Sequence, residues 1–118
     1  MKKEVSQSSQ LLKKVNESHL YQKLVIQLQK DFDRVSIPIA IPEWATPNQL
    51  ETVLNEKIYF LLMERFSEYL NLLYAIDIPE SIFKNIKVTD AVDVSKQVTF
   101  VILKREFEKV RLREKYSS

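Results

Sequence analysis

Glu64 and Glu68 stand four residues apart, a spacing that puts both carboxylates on one face of a helix. Two carboxyls on neighbouring turns are the minimum for helical acid–base work or for part of a carboxylate metal site. A di-metal centre in a helical bundle also needs Glu-x-x-His pairs on two helices. This chain has one histidine, His19, with Asn16 three residues before it. The carboxylate pair is therefore expected on a solvated face beside Arg65 and Asn71. His19, without a second histidine to join it, is expected at the surface or its boundary, and a pH-sensing role is the alternative reading.

The chain has no cysteine, which removes disulfides, zinc-thiolate sites, iron–sulfur clusters and cysteine nucleophiles together. It has no glycine either, against an average usage of about 7%. Glycine lets a backbone approach a phosphate closely and supplies positive φ in tight turns. Dinucleotide fingerprints, P-loops and nucleophile elbows are excluded on that ground. Serine, threonine and tyrosine are plentiful, but a hydroxyl nucleophile would need a base and an oxyanion hole that the chain gives no sign of. The expectation is no enzyme, no catalytic residues, no cofactor and no metal.

Charge is more informative. Residues 1–34 carry +3, residues 43–93 carry −5 and residues 96–115 carry +4, for a net charge of +2. Lys104, Arg105, Lys109, Arg111, Arg113 and Lys115 are the candidates for phosphate contact. Glu106, Glu108 and Glu114 interrupt them, and no aromatic platform lies among the cations. The plainer expectation pairs the acidic middle with the basic ends, within a bundle or between chains.

The elements that must position these groups are punctuated by proline. Pro38, Pro42 and Pro47 cluster and Pro79 stands alone, so helices can run in 1–37, 48–78 and 80–118. Residues 1–17 are polar apart from Leu11, Leu12 and Val15, and read as a partly ordered arm, either a short helix or a frayed end. Residues 18–35 are amphipathic, with Leu20, Tyr21, Leu24, Val25, Leu28, Phe32 and Val35 on one side. Gln22, Lys23, Gln27, Lys30, Asp33 and Arg34 take the other side, and Ser18 is a candidate N-cap.

Residues 36–46 cannot be helical, because Ile37 and Ile41 each precede a proline. They predict an extended strap across the helices with Trp44 plugging a gap; a lone β-strand pairing with a symmetry mate is the alternative. Thr46-Pro47-Asn48-Gln49 signals a helix start three ways, and the pattern runs to about Ile76. Its apolar face switches by about half a turn near residue 60, from the stripe of Leu50, Leu54 and Ile58 to that of Met63, Phe66 and Leu70. Either a kink or two different packing partners would account for the switch. Asp77-Ile78-Pro79-Glu80 predicts a capping box opening a short helix to about Ile86. Thr89 or Asp90 caps the last helix, which reaches about Tyr116 and also changes its apolar side, from Val94, Val98 and Val101 to Leu103, Phe107 and Val110.

Residues 71–80 (NLLYAIDIPE) and 102–110 (ILKREFEKV) resemble segments of small helical proteins from Bacteroidota. That resemblance implies an α fold and a bacterial cytoplasmic origin, and brings no activity with it.

The fold expected is all-α: a small bundle of three main helices plus a short one, with a Pro-rich extended strap, in a single domain over 18–118. No segment is a signal peptide or long enough to span a bilayer, so a soluble cytoplasmic protein without membrane contact is expected. The leading functional expectation is a non-catalytic structural or protein–protein interaction module that self-associates as a homodimer, with any other protein partner open. Phe60, Met63, Phe66, Tyr69, Phe100, Phe107 and Val110 are the interface or core candidates. The alternatives are a basic regulatory or nucleic-acid-binding protein, and a small-ligand binder using an aromatic-rich interior.

Overall fold

The computed structural model describes residues 6–116 as six α-helices, with no strand among them. They are α1 (Gln7–Glu17), α2 (Tyr21–Arg34), α3 (Pro47–Glu64), α4 (Phe66–Ile76), α5 (Glu80–Phe83) and α6 (Ala91–Tyr116). The all-α expectation holds, with a helix count higher than expected for two reasons. The polar arm contributes α1, whose Leu12 and Val15 are fully buried, while residues 1–5 of that arm lie outside the described residues. The second long helix is broken in two at Arg65 (φ −143°, ψ 57°).

α6 is the central element and packs against α1, α2, α3 and α4. Its buried positions are Ser95, Val98, Thr99, Ile102, Leu103, Glu106 and Val110, which form one stripe about 140° wide. The side change expected from sequence is therefore not a change of face. The valines before residue 102 and the apolar residues after it are two shoulders of one buried strip, and Ser95, Thr99 and Glu106 fill its centre. α3 runs against α6 and α1 through Leu50, Leu54, Ile58 and Leu61. After the break, α4 turns Tyr69, Leu72, Leu73 and Ile76 toward α2 and α6. The switch near residue 60 is thus accompanied by a break at Arg65, and α4 meets α2 where α3 meets α1, while both halves keep α6 as a neighbour.

The helix ends solve the absence of glycine in a uniform way. α1, α2 and α4 are each followed by a left-handed residue: His19 (φ 61°), Ser36 (φ 58°) and Asp77 (φ 66°). In each case the next residue's N–H reaches back to a carbonyl five positions earlier, in Leu20 to Val15, Ile37 to Phe32 and Ile78 to Leu73. These are Schellman closures, and all three pairs are apolar, as the motif prefers. Asp and His are among the side chains that tolerate this backbone region best after glycine. Ser18 therefore belongs to the end of α1 and does not cap α2, which begins without a side-chain cap. Asp77 likewise ends α4 and opens no capping box, so α5 starts at Glu80 behind Pro79 with no side-chain cap.

Two starts are as read. Thr46 and Gln49 form a reciprocal capping box with Pro47 in the first turn of α3. Asp90 accepts from the Asp93 backbone N–H at 2.8 Å, while Thr89 donates to the Asp93 carboxylate at 2.6 Å.

Residues 36–46 are neither helix nor strand, turn at 43–44, and bury Ile37 and Ile39. Trp44 does not plug a gap: it is 80% exposed at φ 64°, and Ala45 is the buried neighbour instead. The Tyr21 hydroxyl donates to the Ala45 carbonyl at 2.6 Å and ties the strap to α2. On the far side, the Ser6 and Ser9 hydroxyls each donate to Glu51 at 2.7 Å and fasten α1 to α3. The radius of gyration of 13.9 Å is close to the roughly 13.5 Å expected of one compact domain this long. No helix among the described residues is long and apolar enough to cross a membrane.

Candidate functional site

The seven apolar candidates separate cleanly. Tyr69 and Val110 are core residues, and Phe100 and Phe107 are half-buried. Phe60, Met63 and Phe66 stay 44%, 56% and 55% exposed. Tyr59, absent from the sequence candidates, is exposed beside them. On α3 the inward stripe is supplied by Leu54, Ile58 and Leu61, so Tyr59, Phe60 and Met63 are left on the outward side of the same two turns. Phe66, the first residue past the break at Arg65, is also exposed and rests against Tyr69 with ring centres 5.4 Å apart. Lys57 sits over the Phe60 ring at 5.5 Å. A shallow cleft of about 250 Å³ lined by Asn55, Glu56, Tyr59, Val92 and Ser95 extends the surface to the start of α6.

Withdrawing one such side chain from water contributes about 1.5–3 kcal/mol. A helix that leaves Tyr59, Phe60 and Met63 about half exposed within two turns forgoes more than one such contribution in the isolated chain. Charged groups of both signs surround the patch: Glu56, Glu64, Arg65 and Glu68 are exposed and Lys57 is half-buried. Glu64 and Glu68 lie on the exposed surface flanking the break, and among the described residues no cluster of three or more His, Asp or Glu side chains is placed to hold a metal ion. His19 is exposed, and its evident role is the left-handed closure of α1.

The six basic candidates do not form one surface. Arg105 is half-buried, donating to the Asp77 carboxylate at 2.9 Å and to its carbonyl at 3.0 Å. Lys109 points into the protein. Lys104, Arg111, Arg113 and Lys115 are exposed, with Arg111 over the Phe107 ring and Lys115 over the Tyr116 ring. Glu108 lies among them, and Lys23 of α2 pairs with Glu114. Acidic and basic stretches do meet inside the chain, in Arg105–Asp77, but α6 also pairs with α2 in both senses, its Lys109 with Asp31 and its Glu114 with Lys23.

The buried end of Lys109 reveals a group of residues that the sequence reading missed. Gln27 and Asp31 of α2, four residues apart, face Glu106 and Lys109 of α6, and Asp31 and Glu106 are fully buried. The Lys109 ammonium donates to Asp31 Oδ2 at 2.7 Å and lies 2.5 Å from Glu106 Oε1. Gln27 Nε2 donates to the same Asp31 oxygen at 3.2 Å, and Arg34 approaches Asp31 Oδ1 at 3.6 Å. Burial pushes the Glu106 carboxyl up to about 8; contact with Asp31 adds to the rise and Lys109 opposes it. Burial would raise Asp31 as well, but hydrogen bonds with Glu106, Lys109 and Gln27 outweigh it and hold Asp31 below its ordinary value. None of the five principal clefts is lined by Gln27, Asp31 or Glu106, so the cluster has no substrate access through them.

Comparison with known protein families, with characterised proteins and with solved structures finds no match to this chain.

Proposed function

We propose that this chain is a non-catalytic, cytoplasmic protein–protein interaction module that self-associates as a two-fold dimer through the outward face of α3 and the start of α4. The observation that carries the reading is the exposed row of Tyr59, Phe60, Met63 and Phe66. Large apolar side chains grouped on one face and rimmed by polar groups mark a surface meant to be covered. A second copy suits it better than an unrelated partner, because the rim carries both signs. Lys57 and Arg65 stand beside Glu56, Glu64 and Glu68, and a two-fold axis brings each sign opposite the other. The aromatic and methionine content also fits the centre of an interface. Light scattering of the full chain at micromolar concentration tests the reading. A particle of twice the 14.0 kDa chain mass supports it, and a clean monomer overturns it.

A further inference from the structure

The seam between α2 and α6 holds more negative than positive groups. Asp31 and Glu106 are both shut off from solvent, and one ammonium, from Lys109, stands between them. With both carboxyls ionised the site would carry a net negative charge in contact, which a buried environment strongly disfavours. The hydrogen bonding points the same way. Asp31 Oδ1 and both Glu106 oxygens receive no aligned donor, although all three are fully buried. Buried oxygens left without donors are uncommon and costly. A single proton resolves the discrepancy, because a carboxylic acid is a donor as well as an acceptor. Placed on Glu106 and directed at the Asp31 carboxylate, it removes one charge and supplies the pair with a donor.

The charged groups facing this pair can all be named. α2 supplies Asp31 itself and Arg34, which stands 3.6 Å from Asp31 Oδ1 and is turned outward far enough to donate to the Ala75 carbonyl of α4. α6 supplies Glu106 and Lys109. Among the described residues, no ion pair reaches Asp31 or Glu106 from α1, α3 or α4.

We propose that Asp31 and Glu106 share one proton across the α2–α6 seam, and that this proton latches α2 onto the central helix. When solvent base removes it, two carboxylates face one ammonium, and the last two turns of α2 keep the Lys109–Asp31 contact but lose the carboxyl–carboxylate one beside it. The apolar side of α2 (Leu24, Leu28 and Phe32) and the strap tied to it then open from the bundle more often, by the factor that the lost proton contributes. The rising folded-state proton affinity of Glu106 supports this and sets the range, since the release falls just above neutrality.

The test uses the full chain with carbon-13 in its Glu and Asp carboxyl groups. One glutamate resonance titrating near pH 8, absent from Glu106→Gln and moved toward the ordinary range in Asp31→Asn, is the expected result. In parallel, hydrogen exchange of the α2 amides, corrected for base catalysis, loses roughly tenfold protection between pH 7 and 9 in the native chain. Glu106→Gln, which keeps a donor at all pH values, loses none. Should that variant fail to fold, the native carboxyl titration and native α2 exchange still decide. Glutamates that are all ionised by pH 6, or α2 protection unchanged from pH 7 to 9 in the native chain, overturn the proposal.

Discussion

Lys109 places its ammonium 2.7 Å from Asp31 across a sequence separation of 78 residues, and the carboxylate it meets is wholly buried. The pair joins the second helix of the chain to the last one, inside a buried polar group that Gln27 and Glu106 complete. Its geometry makes the cation indispensable to the anion, because Arg34 comes no closer than 3.6 Å.

Lys109→Met should therefore leave a buried carboxylate without its principal partner. Breaking such a pair from one side costs about 3–5 kcal/mol. Urea unfolding at pH 7 should register a loss of that order. Asp31→Asn added to Lys109→Met should recover much of it, since the orphaned charge is then gone. Equal losses in the single and double variants would contradict the pairing.

The pH dependence of stability follows from the opposite shifts of the two acids. Glu106 binds its proton more tightly when folded, up to about 8 from 4.5, so its contribution is full below 4.5 and is lost as pH rises through about 8. Asp31 is shifted down from 3.8, so its contribution is present above 3.8 and is lost as pH falls through its lower folded-state value. Urea midpoints measured from pH 3 to 9 should peak in mildly acidic solution. Glu106→Gln should flatten the alkaline side and leave the acid side in place.

Three helix ends carry a side chain where the backbone favours glycine. His19→Gly and Ser36→Gly should each raise stability by about 0.5–1 kcal/mol through relief of left-handed strain, less the added freedom of the unfolded chain. Trp44→Gly should cost no more than about 1 kcal/mol, because the exposed indole fills no cavity. Thermal unfolding checks all three. A loss of 3 kcal/mol or more at Trp44 would restore it to the packing role that its sequence position suggests.

Thr46→Ala should cost about 1 kcal/mol, the usual worth of an N-cap hydroxyl. Its partner bond, from the Thr46 backbone N–H to Gln49 Oε1 at 2.9 Å, would remain. Denaturant unfolding that is unchanged by the substitution would show that α3 is held by packing alone.

How far the sequence discloses this structure depends on which force acts at each place. The start of α3 is local chemistry, three residues long, and Thr46, Pro47 and Gln49 announce it directly. The break at Arg65 is visible indirectly, because a helix changing neighbours must change its apolar side. Phe60, Met63 and Phe66 can be singled out by type, but whether they face inward depends on where α6 lies, and adjacent Leu61 is the one that does. The Asp31–Glu106–Lys109 group escaped notice because polarity is read as exposure along a helical wheel. The wheel puts Gln27 on the solvent side on that ground, and it is buried. Its signal was present in the pattern: Ser95, Thr99 and Glu106 sit at helical spacing in the middle of the α6 stripe, where the apolar shoulders leave a polar gap. Ser18 and Asp77 end helices where their types suggest starts, since residues favoured at helix starts also tolerate helix ends.

The central claim is that the α3–α4 face is covered by a second copy, and sedimentation equilibrium of the native chain beside Phe60→Glu/Met63→Glu tests it most directly. Both positions are exposed, so the paired substitution should leave the fold intact, as far-ultraviolet circular dichroism can verify. The account predicts a dimer for the native chain and a folded monomer for the variant, with dimerisation weakened at least a hundredfold by two charges at the interface centre. A native chain that sediments as a monomer at 100 micromolar, or a variant that dimerises as well as the native chain, would contradict it.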